Sequence, residues 1–338
     1  MKILVVGAGL IGCERILAVQ KLSEVDSSVS LMGAYDPDSD KLTVVGKKFQ
    51  VPTIYDFDTA LKMGPDWVFI CTPHDVVIPI VRQAFGIGSH VLIEKPLGRS
   101  LKESQEIADS KPDNCNLYVG FNYRFFAGVE ALLQDCRAKK FGKLISVTLT
   151  LAHGNAPGME KSWKLDPVKC GGGCLIDPGV HLLDVINQLS TGTVHLDSIK
   201  SWSGFWNTGI EEEAHLLLHD DNGTIFNAQI SLNRWKSTFK LEVNGTEGYG
   251  IVEGRGRSYG PQSYRTGVRW GWLSGKSQVE SEIVVVDKDN CENSFLKETI
   301  MVLSETIHYP MPCNHSEALS VMKLLDKCQQ QITNTGVF

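Results

Sequence analysis

At 338 residues, 42% of them hydrophobic and 21% charged, the chain has the composition of an ordinary globular protein and the length of about two domains. A formal net charge of -6 with no long like-charge runs offers no electrostatic footprint for nucleic acid or an anionic membrane, so the expected partner is a small molecule. Nine cysteines, at 13, 71, 115, 136, 170, 174, 291, 313 and 328, form no paired framework and fit reduced thiols in a cytosol. Cys71 with His74, and Cys170 with Cys174, each lack a second ligand pair to close a tetrahedral site, so no metal is expected. The opening apolar run is too short for a signal h-region and leads into glycines rather than a cleavage site. No later run approaches the ~20 apolar residues of a membrane span. A cytoplasmic location is expected.

In chain order, residues 3–6, 29–35, 67–71, 90–93 and 117–119 are short β-branched runs, apolar throughout and separated by amphipathic segments. Strands apolar on both faces and alternating with helices indicate a doubly wound parallel sheet, an α/β Rossmann domain over residues 1–121. A helical pattern at 126–138 follows. The strands after it, 146–151 and 226–233, alternate strictly and bury one face only. Residues 122–338 are therefore expected to form an α+β domain for substrate binding and oligomerisation, with a large, mostly antiparallel open sheet and helices near 178–190, 293–307 and 315–331. The glycine-rich stretch 245–275, with Arg255, Arg257, Arg265, Arg269, Trp270 and Trp272, reads as a long surface loop. Its two open roles are a ligand contact and subunit packing.

The cofactor signal is Gly7-Ala8-Gly9-Leu10-Ile11-Gly12, a GxGxxG turn that follows a strand and opens a helix. Gly7 permits the tight turn, Gly9 lets the backbone approach a pyrophosphate, and Gly12 lets helix and strand pack closely. At the end of the second strand Asp36 offers a carboxylate to ribose hydroxyls. It would repel a 2′-phosphate, so NAD is favoured over NADP, with Lys41 the nearest cation that would soften the preference. The alternative for Asp36 is the start of an Asp-Pro turn. Cys71-Thr72-Pro73-His74 and Glu94-Lys95-Pro96 both fall at strand carboxyl ends, where open α/β sheets bind ligands.

Asp177, His181 and Asp184 are spaced to fall within roughly 60° of one another on a helix. Together with the glycine turn, Glu94-Lys95-Pro96 and Gly120-Phe121-Asn122-Tyr123-Arg124, they make the chain resemble the glucose–fructose oxidoreductase, inositol dehydrogenase and MocA superfamily over essentially its whole length. The resemblance implies an NAD(P)-dependent dehydrogenase acting on a CH–OH group, with Lys95 between nicotinamide and substrate and with Asp177 and His181 as the paired acid and imidazole. Cofactor contacts are then expected from Gly7, Gly9, Leu10, Ile11, Gly12, Asp36, Cys71, Thr72, Pro73, His74, Glu94, Lys95 and Arg124. The catalytic site would exist only where the two domains meet, and a homodimer or homotetramer is implied.

The chemistry suits these residue types. Alcohol oxidation sends a hydride to the cofactor while a base takes the hydroxyl proton, and a neutral imidazole titrates near working pH. His181 is the expected base, Lys95 the stabiliser of the developing alkoxide, and Asp177 a holder of substrate hydroxyl or imidazole. Pro178 leaves Asp177 a second reading as a helix N-cap. For Arg124, a cofactor or substrate contact and an interdomain ion pair are both open. Residues 161–167 resemble a segment of relatives that oxidise nucleotide-linked sugars, which adds Trp163 and Lys164 as substrate candidates and favours a nucleotide-activated sugar. The alternatives are a free sugar or inositol, an NAD-dependent glycosidase of the same fold, and a non-catalytic NAD-binding regulator.

Overall fold

The apolar runs at the head of the chain are strands. The computed structural model describes residues 1–268, 281–285, 290–304 and 308–334. They begin with β1 (Lys2–Val6), α1 (Leu10–Val25), β2 (Ser30–Tyr35), α2 (Ser39–Phe49), α3 (Phe57–Lys62), β3 (Trp67–Ile70), α4 (Val77–Gly86), β4 (His90–Glu94), α5 (Leu101–Asp109) and β5 (Leu117–Gly120). These strands are parallel and run in the order β5-β4-β3-β1-β2. Ile3, Leu4, Val5, Val6, Val68 and Phe69 are fully buried, which is why both faces had to be apolar. The order reverses between β1 and β3, and Gly7 and Cys71 leave the sheet on either side of that switch point.

The second part of the chain contains α6 (Ala127–Arg137), β6 (Leu144–Ala152), α7 (Pro167–Cys170), α8 (Val180–Leu189), β7 (Val194–Trp202), β8 (Glu213–Asp220), β9 (Ile225–Ser231), β10 (Thr238–Gly245), β11 (Gly248–Glu253), β12 (Gln262–Val268) and β13 (Ser281–Val285). Among the described residues these strands form one sheet in the order β13-β12-β11-β10-β6-β9-β8-β7. Every neighbouring pair is antiparallel except β6 with β9. Alternate residues of β8 and β10 are buried, the period-2 pattern of a sheet with one covered face. Helix α6 packs on β11 and β12.

The chain closes with α9 (Asn290–Leu303), the short strand β14 (Cys313–Asn314), which is antiparallel to β5, and α10 (His315–Asn334). Two units result: Met1–Asn122 with Glu292–Met322, and Tyr123–Cys291 with Lys323–Phe338 so far as they are described. Residues 292–322 thus pack with the nucleotide-type unit, although they follow the second sheet in sequence. Among the described residues no helix is long and apolar enough to cross a membrane.

One expectation is overturned. The stretch 245–275 is no loop up to residue 268, because β11 and β12 form a hairpin through it with only 254–261 as the connection. Its glycines answer to crowding. A Cβ on Gly250 would lie 2.5 Å from Leu132 and 2.9 Å from Phe141, and one on Gly267 would lie 2.5 Å from the Tyr249 ring. Arg265 forms a cross-strand pair with Glu253 at 2.6 Å. Arg269, Trp270 and Trp272 lie outside the described residues.

Candidate active site

In the first unit the glycine turn has the geometry that a dinucleotide requires. Gly7 has φ +104° and donates its N–H to Tyr35 O at 2.8 Å; a Cβ there would sit 2.6 Å from Cys71 O. A Cβ on Gly12 would come within 1.8 Å of Gly7 O, so nothing larger than glycine lets α1 start this close to β1. Gly9 behaves differently: nothing lies within 4 Å of its Cβ position. It is the N-cap of α1, no side chain caps the first turn, and that turn contains no acidic residue. The first amides of α1, beside the exposed Leu10 and half-buried Ile11, therefore face open space where phosphate oxygens are the natural acceptors.

Asp36 stands beside this turn. Its Oδ2 accepts from Ala8 N at 2.7 Å and its Oδ1 from Asp38 N at 2.8 Å, so the same carboxylate starts the Asp-Pro turn and closes on the glycine loop. Lys41 is drawn to Asp38, at 3.1 Å, and that contact holds its ammonium above the ordinary lysine range. Cys71, Thr72 and Pro73 are half-buried and His74 is buried in the turn after β3. Burial pushes the Cys71 thiol well above its ordinary range. These residues fit a bound NAD: amides for the pyrophosphate and Asp36 for the ribose.

Lys95 follows the last residue of β4 and is half-buried. Its neighbour Glu94 faces inward, where Oε1 accepts from Arg15 Nε at 2.6 Å. Arg15 also binds Glu298 of α9, contacts Thr299 Oγ1 at 3.4 Å and lies 4.7 Å from the Phe295 ring centroid. Burial alone would lower the Arg15 value, but the two carboxylates reverse that and hold the guanidinium charged. Glu94, expected on the cofactor, is thus engaged from inside the unit. Asn122 is likewise satisfied internally, donating Nδ2 to Ser294 Oγ at 2.9 Å.

In the second unit the one-face alignment of Asp177, His181 and Asp184 does not form. Asp177 has φ -140° and ψ 100°, outside helical values, because a residue preceding proline is pushed towards extended conformations. Helix α8 starts three residues later with Gly179 as N-cap and no side-chain cap, so the N-cap reading of Asp177 also falls. Asp177 instead accepts from Lys164 Nζ at 2.8 Å, and its charge raises the Lys164 pKa. Lys164 lies 5.9 Å from the Trp163 ring centroid. The triple glycine that precedes Asp177 admits Glu211: a Cβ on Gly173 would lie 2.0 Å from Glu211 O, and the buried Glu211 carboxylate accepts from Gly173 N and Leu175 N.

His181 is 5% exposed in the first turn of α8, and its ring stacks face to face on Tyr123 at 3.8 Å with 10° between planes. Arg255 lies 5.3 Å from the Tyr123 ring centroid and 3.8 Å from that of Tyr259, and His153 meets Tyr259 edge-on at 6.5 Å. Tyr123, Tyr259 and His153 were missed from sequence. Tyr123 had a signal in its place beside Arg124 at the end of the Gly-Phe-Asn-Tyr-Arg motif; the other two had none. Arg124 itself is fully buried and bidentate on Asp184, at 2.8 and 2.6 Å. This corrects the interdomain ion pair, since Arg124 and Asp184 both belong to the second unit and the pair takes up one edge of the guanidinium. Among the described residues no three His, Cys, Asp or Glu side chains gather as metal ligands.

Residues 1–121 match the family model of an oxidoreductase family with an NAD-binding Rossmann fold, and residues 129–250 match the GFO/IDH/MocA C-terminal domain. Glucose-6-phosphate 3-dehydrogenase of Bacillus subtilis is 25% identical over 229 residues, covering 67% of this chain and 63% of that protein. Levoglucosan dehydrogenase of Pseudarthrobacter phenanthrenivorans is 25% identical over 208 residues, 54% of this chain and 53% of its own. The rhizopine catabolism protein MocA of Rhizobium meliloti is 29% identical over 189 residues, with shares of 54% and 56%. The chain therefore spans less than two thirds of these relatives' own lengths. Among solved structures, levoglucosan dehydrogenase in complex with NADH and levoglucosan superposes with a TM-score of 0.84 at 16% identity, covering 99% of this chain and 97% of that one. GenD2 from gentamicin A biosynthesis, in complex with NAD, gives a TM-score of 0.79 at 20% identity, covering 99% and 95%. The two matched models take in more than half of the chain, which belongs to the GFO/IDH/MocA oxidoreductase family, with an NAD-binding Rossmann fold as its N-terminal domain.

Proposed function

We propose that this protein is an NAD-dependent dehydrogenase acting on a secondary alcohol of a sugar, with a nucleotide-activated sugar the preferred subclass. The observation that carries the reading is the uncapped N-terminus of α1, open at Gly9 and flanked by the Asp36 carboxylate, in a chain of this family. When bound, NAD supplies the hydride acceptor. The chain's own work is the proton. His181 takes it from the substrate hydroxyl and returns it in the reverse direction, while the Lys95 ammonium stabilises the alkoxide as its charge develops. Asp177, already the partner of Lys164, orders the cation beside Trp163.

That the relatives named above include dehydrogenases of glucose 6-phosphate and levoglucosan supports a sugar as substrate. The nucleotide-activated sugar rests on residues 161–167, and its support is a lysine paired with Asp177 and an indole 5.9 Å from that lysine. The test is absorbance at the NADH band across a panel of free, phosphorylated and nucleotide-linked sugars, with wild type and Lys95→Met. Wild type is expected to reduce NAD with part of the panel, and Lys95→Met to lower turnover about 10²- to 10³-fold, as removal of one charge-stabilising donor does. If both proteins bind NAD and neither reduces it with any sugar, the dehydrogenase reading is wrong. Loss of aglycone without net NADH would point to the glycosidase alternative.

We also propose that the protein self-associates through the open face of its second sheet. Leu217, Ile225 and Trp202, 42%, 50% and 50% exposed, stand on that face, and such residues favour burial against another copy. Leu217→Lys with Ile225→Lys is expected to shift the sedimentation coefficient towards the monomer; an unchanged coefficient would remove this face as the interface.

A further inference from the structure

We propose that Arg15 is a positioning residue for Lys95: through Glu94 it sets the end of β4, and hence the lysine, against the helix whose N-terminus faces the cofactor phosphates. The inference rests on the role given to Lys95 above. Its basis is geometric. Arg15 belongs to α1, the helix that opens at Gly9, and its side chain is completely buried. It binds Glu94, the residue before Lys95, at 2.6 Å, and Glu298 from α9, whose side chain is equally buried. One guanidinium thus ties three elements at one point: the cofactor helix, the strand end and α9.

Stability alone is a poor reason for such a group. A buried ion triad recovers its desolvation cost only with good geometry, and apolar residues of similar volume often do as well. What a guanidinium between two carboxylates adds is fixed direction, because its planar donors accept few arrangements. Gly120 supplies an independent sign that the arrangement is tight. A Cβ there would lie 2.8 Å from Arg15 Nη2 and 2.8 Å from Glu94 Oε2. No left-handed φ requires glycine at 120, so the ion cluster is what excludes a side chain and accounts for the first residue of the Gly-Phe-Asn-Tyr-Arg motif.

Two variants of the full chain test this. Glu94→Gln keeps the shape and removes one charge; Gly120→Ala keeps all three charges and wedges a methyl against them, and is the one to read if the first does not fold. The readout is acylation of the Lys95 amine by acetic anhydride at trace level, followed by mass spectrometry with and without NADH, beside NADH affinity by fluorescence and a melting curve. In wild type NADH should slow acylation of Lys95. In the folded variants that protection should fall about tenfold while NADH affinity changes less than about threefold, because a shift on the order of 1 Å suffices to misplace a reacting group. Folded variants with wild-type protection would overturn the positioning role and leave the dehydrogenase reading standing. A wild-type Lys95 that NADH does not protect would sink the cofactor-side role of Lys95, and this inference with it.

Discussion

Asparagine in place of His181 is expected to lower turnover about 10²- to 10⁴-fold, the usual worth of a positioned general base. NAD affinity should stay within a factor of about three, since the amides and carboxylate expected to grip the dinucleotide all belong to the first unit. The imidazole is buried and stacked on the face of Tyr123, which would hold a base at this position in one orientation. Oxidation needs it neutral and reduction needs it protonated. Acid should therefore slow the wild-type oxidation and alkali the reduction, and the residual activity of His181→Asn should lose this dependence. Steady-state rates in both directions over a pH series make the check. A variant with wild-type kcat, or one with the same pH profile, would remove His181 from the proton transfer and return it to the role of a packed helix residue.

Arg124→Met should destabilise the protein by about 3–5 kcal/mol, the cost of leaving a buried carboxylate without its cation. Both side chains of the Arg124–Asp184 pair are 1% exposed, so water cannot replace the lost partner. Against a total stability of about 5–15 kcal/mol for typical domains, this is a large fraction of what keeps the protein folded. Removing the second charge as well, in Arg124→Met with Asp184→Leu, should recover most of the loss. Urea denaturation midpoints of the two variants, compared with wild type, measure it. An unchanged midpoint with weakened NADH binding would restore Arg124 to the cofactor and contradict the ion pair as its main role.

These two residues illustrate what sequence can and cannot report. His181 was singled out because a titratable ring among Val180, Leu182 and Leu183 is chemically conspicuous and the surrounding motif carries a resemblance. Arg124 was noticed for the same reason, but its ion-pair partner could not be read, because that partner depends on where α8 lies relative to the turn after β5, and no local pattern encodes that. Asp177 shows the complementary failure. Regular helical spacing predicted a shared face, while the proline after it overrode the periodicity through a purely local steric rule. In the hairpin of β11 and β12, glycines that ordinarily signal loops were glycines because Leu132, Phe141 and Tyr249 crowd them.

The parallel sheet, the switch-point turn and the half-buried second sheet follow from the sequence by itself, since runs apolar on both faces, a GxGxxG spacing and period-2 alternation each constrain the backbone within a few residues. The tertiary structure alone decided that α9 and β14 return to the first unit, that Arg15 gathers Glu94 and Glu298, and that Tyr123 lies on His181. Each of these joins residues tens to hundreds of positions apart. Their partners are chosen by packing and by the need of every buried charge for a counter-charge, and those conditions are met only in the folded chain.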